Sequence, residues 1–255
     1  VRIENSFVPV DGVGPVTERK LWRAGVTEWS AFDGQVVGPT RAERIEAFIE
    51  EATHRLQRRD ARFFRERVPD DQHWRLYENV REETAFLDIE TTGLDRYADR
   101  VTTVSIHRGG ETRTLVRGHD LSADELHAEL EASSLLVTFN GRRFDVPFLE
   151  ASFDVSVDLP HADLMSVCRE LGYSGGLDAV EHAFGIERER PDISGRDAVR
   201  LWHEYERGQD GSLETLIEYN QEDTENMRPL MEQATAKLHR QVFEAARREG
   251  ADPAE

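Results

Sequence analysis

Residues 84–94 read Thr-Ala-Phe-Leu-Asp-Ile-Glu-Thr-Thr-Gly-Leu. The alternation from Ala85 to Glu90 predicts a strand. Side chains two apart on a strand share a face, so Asp88 and Glu90 point the same way. Two adjacent carboxylates repel each other and need a cation or a shared proton; hard oxygen ligands of this kind suit Mg²⁺ or Mn²⁺. Gly93 lets the strand end in a turn, which leaves both acids beside an open rim. An isolated Asp-x-Glu at a strand end is more often a solvated edge than a metal site, so the reading depends on what the rest of the chain brings to that rim.

Downstream, Val101 to His107 and Thr112 to Val116 alternate in the same way, with Gly109-Gly110 as the turn of a hairpin. Ser122 and Glu125 form a capping box for a helix ending near Glu131, Leu135 to Phe139 is a buried-type strand, and Ser156 to Leu159 a short further one. Helices are expected at 142–152, 163–171, 177–184, 195–207 and 212–247, the last bent or split at Pro229. Three meandering strands followed by strand–helix alternation indicate an α/β or α+β layered domain.

Two further acids stand out. Phe139-Asn140-Gly141-Arg142-Arg143-Phe144-Asp145-Val146-Pro147-Phe148-Leu149 is a strand end, a glycine turn and a helix start. Asp145 falls in the first turns of that helix, where an acid alone would simply complement the dipole. Phe144 and Phe148, at i,i+4, anchor the helix and fix the angle at which Asp145 projects. Tyr219-Asn220-Gln221-Glu222-Asp223 sets Tyr219 and Asp223 one helical turn apart, where a hydroxyl and a carboxylate can address one water. Read alone, this pair is a surface carboxylate beside a partly buried tyrosine.

Together the three stretches are specific. The sequence resembles the DEDD superfamily of DnaQ-like 3′–5′ exonucleases: Asp88-x-Glu90 matches the first motif, Asn140-Gly-x-x-Phe-Asp145 the second, and Tyr219-x-x-x-Asp223 the third, with the spacing of the tyrosine subclass. Including the lead-in Phe63-Phe64…Trp74-Arg75-Leu76, the wording is most similar to YprB-type RNase H-like proteins, over about residues 60–232. The resemblance implies an RNase H-like domain at 84–232, a mixed five-stranded sheet flanked by helices. It implies catalysis by Asp88, Glu90, Asp145, Tyr219 and Asp223, the four acids holding two Mg²⁺ or Mn²⁺ ions. Asp88 would bridge both ions, Glu90 and Asp223 hold one, Asp145 support the other through water, and Tyr219 orient the attacking water. A phenol with an ordinary pKa near 10 is a poor base at neutral pH, so positioning is the expected role of Tyr219. Thr91, Asn140 and Arg142 are the expected substrate contacts, the substrate is the 3′ end of single-stranded DNA or RNA, and the products are 5′-mononucleotides. Two other readings fit the same fold: a structure-specific endonuclease, and a non-catalytic nucleic-acid-binding protein.

Residues 1–54 read as a small all-α unit of short helices broken at glycine, with Gly12-Val13-Gly14-Pro15 echoed more weakly by Gly38-Pro39. Val10-Asp11-Gly12-Val13-Gly14-Pro15 resembles a helix-hairpin-helix turn, which implies that amides at Gly12 and Gly14 grip a nucleic-acid backbone without side-chain charge. Its ordinary alternative is an αα-corner. Residues 55–83 form a basic helical linker, in which Phe63 or Phe64 could stack on bases although at least one is expected in the core. Residues 233–255 form a C-terminal helix and tail.

Composition sets limits around this reading. The chain carries 32 Lys and Arg against 51 Asp and Glu, a net charge of −19, and its only lysines are Lys20 and Lys237. Such a charge repels phosphates in dilute buffer. The lysine-poor, uniformly acidic surface resembles proteins of extreme halophiles, and in molar salt the Debye length falls to about 3 Å, so contact chemistry decides binding. Cys168, the sole cysteine, rules out an intramolecular disulfide and reads as a helix core position. No apolar run approaches the roughly 20 residues a membrane span requires, and the polar start Val-Arg-Ile-Glu lacks a signal-peptide core, so a cytoplasmic location is expected. His107, His161 and His203 lack paired ligand spacing and read as structural or solvated. Asp163, Asp192 and Asp197 read as helix caps.

Overall fold

The computed structural model describes residues 1–251; the last residues of the expected C-terminal tail, 252–255, lie outside them. The chain opens with helices α1 (Pro15–Arg23), α2 (Pro39–Gln57) and α3 (Ala61–Arg67), then enters strands β1 (Thr84–Thr91), β2 (Val101–Arg108) and β3 (Glu111–Val116). Helix α4 (Ala123–Glu131), strand β4 (Leu135–Thr138), helix α5 (Asp145–Phe153) and strand β5 (His161–Asp163) follow. The remainder is helical: α6 (Leu164–Glu170), α7 (Leu177–Phe184), α8 (Gly195–Glu206), α9 (Ser212–Leu238) and α10 (Ala245–Ala251).

The five strands form one mixed sheet in the order β3-β2-β1-β4-β5, antiparallel in the meander and parallel from β1 to β5. Its meander is turned by Gly109 and Gly110, both at positive φ, as a two-residue hairpin with right-handed twist requires. Ser122 Oγ accepts the Glu125 amide at the start of α4, the serine half of the expected capping box; no return bond from the Glu125 side chain to the Ser122 amide forms among the described residues.

Strand alternation divides the core between the two sheet faces. Ala85, Leu87 and Ile89 of β1 pack with Leu126 and Leu130 of α4 and Phe148 and Leu149 of α5. Phe86 faces the other way, into a larger core built from α6, α7, α9 and the N-terminal helices. That second core is continuous from Ile3 through Trp22, Phe48 and Trp74 to Met227 and Leu230. Phe63 and Phe64 are both buried in it, so neither can stack on a base. The arginines around them are engaged as well: Arg55 with Glu51 and Asp60, Arg59 with Glu83, and Arg65 with Asp158.

Two expectations need correction. The short strand expected at 156–159 lies at His161–Asp163, because pairing with β4 begins only at Pro160, whose carbonyl accepts the Leu136 amide, while Val155 and Val157 turn into the core. The long helix is not split at Pro229. Helix α9 continues to Leu238, and a π-helical turn at His239–Glu244 separates it from α10. A proline costs an isolated helix about 3 kcal/mol; here Met227, Leu230, Met231 and Ala234, all fully buried, flank it, and each large apolar side chain so buried returns about 1.5–3 kcal/mol.

Candidate active site

Asp88 and Glu90 lie on the α9 side of β1, the face they share with Phe86. The β1–β2 register slips between Glu90 and Thr91, a bulge that ends regular pairing beside the acids. Asp223, from the middle of α9, meets them there: one carboxylate oxygen from each of Asp88, Glu90 and Asp223 lies within 4.8 Å of the other two. Asp145, the first residue of α5, is buried beside this group but is not one of the three that converge.

The loop that delivers Asp145 is built around Asp163. One Asp163 carboxylate oxygen accepts the amides of Asn140 at 2.9 Å and Met165 at 3.0 Å, and the other accepts the Arg142 amide at 3.2 Å. Asp163 therefore caps α6, as expected, and also clamps the β4–α5 turn. Asn140 adopts a left-handed conformation, φ 65°, and a Cβ at Gly141 would land inside the Thr138 side chain. The Phe144 and Phe148 rings pack with centroids 5.2 Å apart, as their spacing predicts.

Burial and mutual repulsion set the electrostatics of these acids. Burial, then the charges of Asp223, Asp145 and Glu90, raise Asp88 well above the usual carboxylate range. Glu90 is raised in the same direction by burial, Asp223 and Asp145. Burial pushes Asp145 up to about 7, helped by the charges of Asp163 and Asp223. Asp223 is also raised by burial, against the opposing pull of Arg188. Hard oxygen donors crowded in this way suit a small divalent cation.

Two participants were not foreseen from the sequence. Arg188 Nη2 donates to Asp223 Oδ1 at 2.5 Å, and its Nε pairs with Glu181, which has no exposed surface. Although burial alone would lower the pKa of the guanidinium, Asp223 and Glu181 outweigh it and raise it. Arg188 sits in the run Glu187-Arg188-Glu189-Arg190, where no pattern singles it out. Asn220, fully buried, donates from Nδ2 to Asp88 Oδ2 at 2.7 Å and accepts from Thr103 Oγ1 at 2.9 Å. Its position between Tyr219 and Asp223 was the one available signal. Partners of this kind usually control metal affinity by 10–100-fold. Asn220→Ala is accordingly expected to weaken Mn²⁺ binding by about that factor in calorimetric titration, and an unchanged affinity would remove Asn220 from the site.

Other foreseen residues divide. Tyr219 is buried on α9 one turn before Asp223, and burial with the Asp223, Glu90 and Asp88 charges raises its pKa. Thr91 is buried, with its hydroxyl on the Gly93 carbonyl at 2.6 Å. Arg142, expected to contact substrate, is already engaged: Nη1 lies 3.1 Å from the Asp70 carboxylate, and Nη2 reaches the Asp70 and His161 carbonyls. Gly12 has φ 84° and Gly14 is the N-cap of α1, where no side chain caps the helix. Burial and Arg142 push His161 down to about 3, so it is neutral and structural. A cleft of about 940 Å³ opens beside Tyr219 and Asp223, walled by α7, Arg188 and the start of α8.

Residues 85–235 match the family model of the RNase_H superfamily. No curated protein matches the sequence. Among solved structures, the chain is similar to the family B DNA polymerase from the hyperthermophilic archaeon Pyrobaculum calidifontis, at 18% identity over 63% of this chain and 25% of that one, with a TM-score of 0.53. The match thus spans a quarter of the polymerase. It also aligns with a nuclease in its apo form, at 20% identity over 67% of this chain and 81% of that one, with a TM-score of 0.49. At these identities the likeness concerns the fold alone. No helix among the described residues is long and apolar enough to cross a membrane.

Proposed function

The chain belongs to the RNase_H superfamily, and we propose that it is a metal-dependent 3′–5′ exonuclease of single-stranded DNA or RNA. The observation that carries this reading is the meeting of Asp88, Glu90 and Asp223 at the bulged end of β1, with Asp145 alongside. Asp88, Glu90 and Asp223 would hold the cations directly, with Asp145 adding charge behind them. What two divalent ions supply there, when bound, is acidification of water and neutralisation of charge building on the entering and leaving oxygens.

The protein's own groups have separate tasks in this scheme. Because the pKa of Tyr219 is raised, its phenol stays protonated at working pH and orients water instead of taking a proton from it. Asn220 aims Asp88, and Arg188 holds Asp223 in place from its anchor on Glu181. The cleft beside Tyr219 and Asp223 gives a strand end access to the acids. At the N-terminus, the amides of Gly12 and Gly14 are proposed to grip the backbone of the same nucleic acid, while that of Val13 between them is held by the Val10 carbonyl.

The test is digestion of labelled DNA and RNA oligonucleotides in molar KCl with Mg²⁺ or Mn²⁺. Stepwise shortening from the 3′ end is expected, absent in Asp88→Ala and without divalent metal. Tyr219→Phe should lose less activity than Asp223→Ala; equal losses would reject the positioning role. A covalently closed single-stranded circle should survive, and cutting it would replace exonuclease with endonuclease.

A further inference from the structure

Three large apolar side chains stand out in solvent among the described residues, and two of them, Leu94 at 86% exposure and Tyr97 at 82%, share one loop. That loop joins β1 to β2, so it begins immediately after the Asp88 and Glu90 strand. It is firmly built. The Thr92 amide donates to the Arg100 carbonyl at 2.9 Å, and the Arg100 amide returns to Thr92 Oγ1 at 3.0 Å. Inside the turn, Asp99 accepts the Asp95 amide and Asp95 accepts the Tyr97 amide, both at 2.9 Å. Gly93 lies so close to Asp99 that a Cβ would overlap its carboxylate. A loop held this way presents Leu94 and Tyr97 outward as fixed features, and binding them incurs little ordering entropy.

Arginines gather around these side chains, with Asp95 and Asp99 of the loop as the acids among them. The Arg96 guanidinium lies 5.1 Å from the centre of the Tyr97 ring. Arg143 lines a cleft of about 400 Å³ that Leu94, Asp95, Arg96, Tyr97, Phe144 and Phe148 complete. In contrast to the paired arginines of the 55–67 segment, Arg96, Arg100 and Arg143 have no ion-pair partner among the described residues. Arg100 also stands close enough to Arg117 that, after burial, its charge lowers the pKa of Arg117. Asp95 and Asp99 direct their carboxylates to backbone amides of the loop and pair with none of these arginines, which leaves the guanidinium groups to an anion. Phe144 directly precedes Asp145 in the chain and Leu94 lies on the loop that follows Glu90, so the residues of the cleft adjoin those of the acid cluster in sequence.

We infer that the 92–100 loop is a seat for single-stranded nucleic acid, in which unpaired bases stack on Tyr97 and against Leu94 while Arg96, Arg100 and Arg143 take the phosphates. Aromatic stacking needs an open base face, which a duplex interior hides, so the occupant is a single strand and not a double one. The inference rests on the nuclease reading for the direction of the strand, though not for the existence of the seat.

Binding of a fluorescein-labelled oligothymidylate to the metal-free protein, followed by anisotropy at stated salt, tests it. Each stacked base contributes enough that Tyr97→Ala should weaken binding by about tenfold or more, whereas Tyr97→Trp should retain it. Binding of a blunt duplex should change less than twofold. Mn²⁺-dependent hydrolysis of bis(4-nitrophenyl) phosphate, a diester with no base to stack, should be the same in all three proteins. Equal oligothymidylate binding by wild type and Tyr97→Ala overturns the seat, as does absence of binding by the wild type or an equal loss on duplex. Tyr97-dependent binding without diester hydrolysis leaves the seat standing and removes the nuclease reading; hydrolysis without Tyr97-dependent binding does the reverse.

Discussion

Without divalent metal, wild-type protein is expected to lose melting temperature between pH 5 and pH 8, and Asp145→Asn to lose markedly less, so that the variant is the more stable at pH 8. The Asp145 carboxyl moves from 3.8 to about 7 on folding. A raised carboxyl binds its proton more tightly in the folded state, so its contribution is complete below about pH 4 and disappears as pH rises through about 7. A shift of that size corresponds to on the order of 4 kcal/mol. At 2–4 °C per kcal/mol for a domain of this size, the gap is roughly 10 °C. Asparagine fills the same space without titrating, and relieves Asp88 and Glu90 of one repelling neighbour. Mn²⁺ at about 100 times its dissociation constant should return about 2.7 kcal/mol to the wild type, while the variant loses oligonucleotide cleavage. Parallel pH curves for the two metal-free proteins would mean that Asp145 carries no strained charge and that the acids do not act as a group.

The residues that make this prediction possible were legible to different degrees. Local periodicity was enough for β1, because alternation alone places Asp88 and Glu90 on one face, and enough for Tyr219 and Asp223, because helical spacing aligns them. It was not enough to show that Asp223 has a cation already beside it. Arg188 reaches Asp223 only because α7 buries Glu181, and a pairing between separate helices leaves no periodic trace. Arg142 is a similar case: its place in the second motif suggested a substrate contact, and in the fold its guanidinium is paired with Asp70 and donates to the His161 carbonyl. The misplaced strand and the uninterrupted α9 share one cause. Local rules treat Pro160 and Pro229 as breaks, while the fold uses the carbonyl of one and buries the neighbours of the other.

Glu18→Ala is expected to be the most damaging substitution outside the acid cluster, although no motif includes Glu18. Its carboxylate is 1% exposed and accepts the Phe7 amide at 2.7 Å, the Val8 amide at 3.3 Å and Arg75 Nη1 at 2.9 Å. Arg75 is itself buried, donates also to Ser6 Oγ at 3.0 Å, and lies over the rings of Trp22 and Trp74. Removing one partner strands the other charge in the core, which typically costs 3–5 kcal/mol, or roughly 10 °C here. Replacing both partners with apolar residues of similar size leaves no stranded charge. Glu18→Leu combined with Arg75→Met should therefore melt closer to the wild type than either single variant, a coupling that urea titration of all four proteins would measure. Additive losses would mean that the two residues act independently. Because Glu18 lies on α1 and Arg75 on the segment that leads from the N-terminal helices towards β1, their pairing ties α1 to the chain that enters the sheet carrying Asp88. Loss of the pair should accordingly lower oligonucleotide affinity more than it lowers hydrolysis of a small diester.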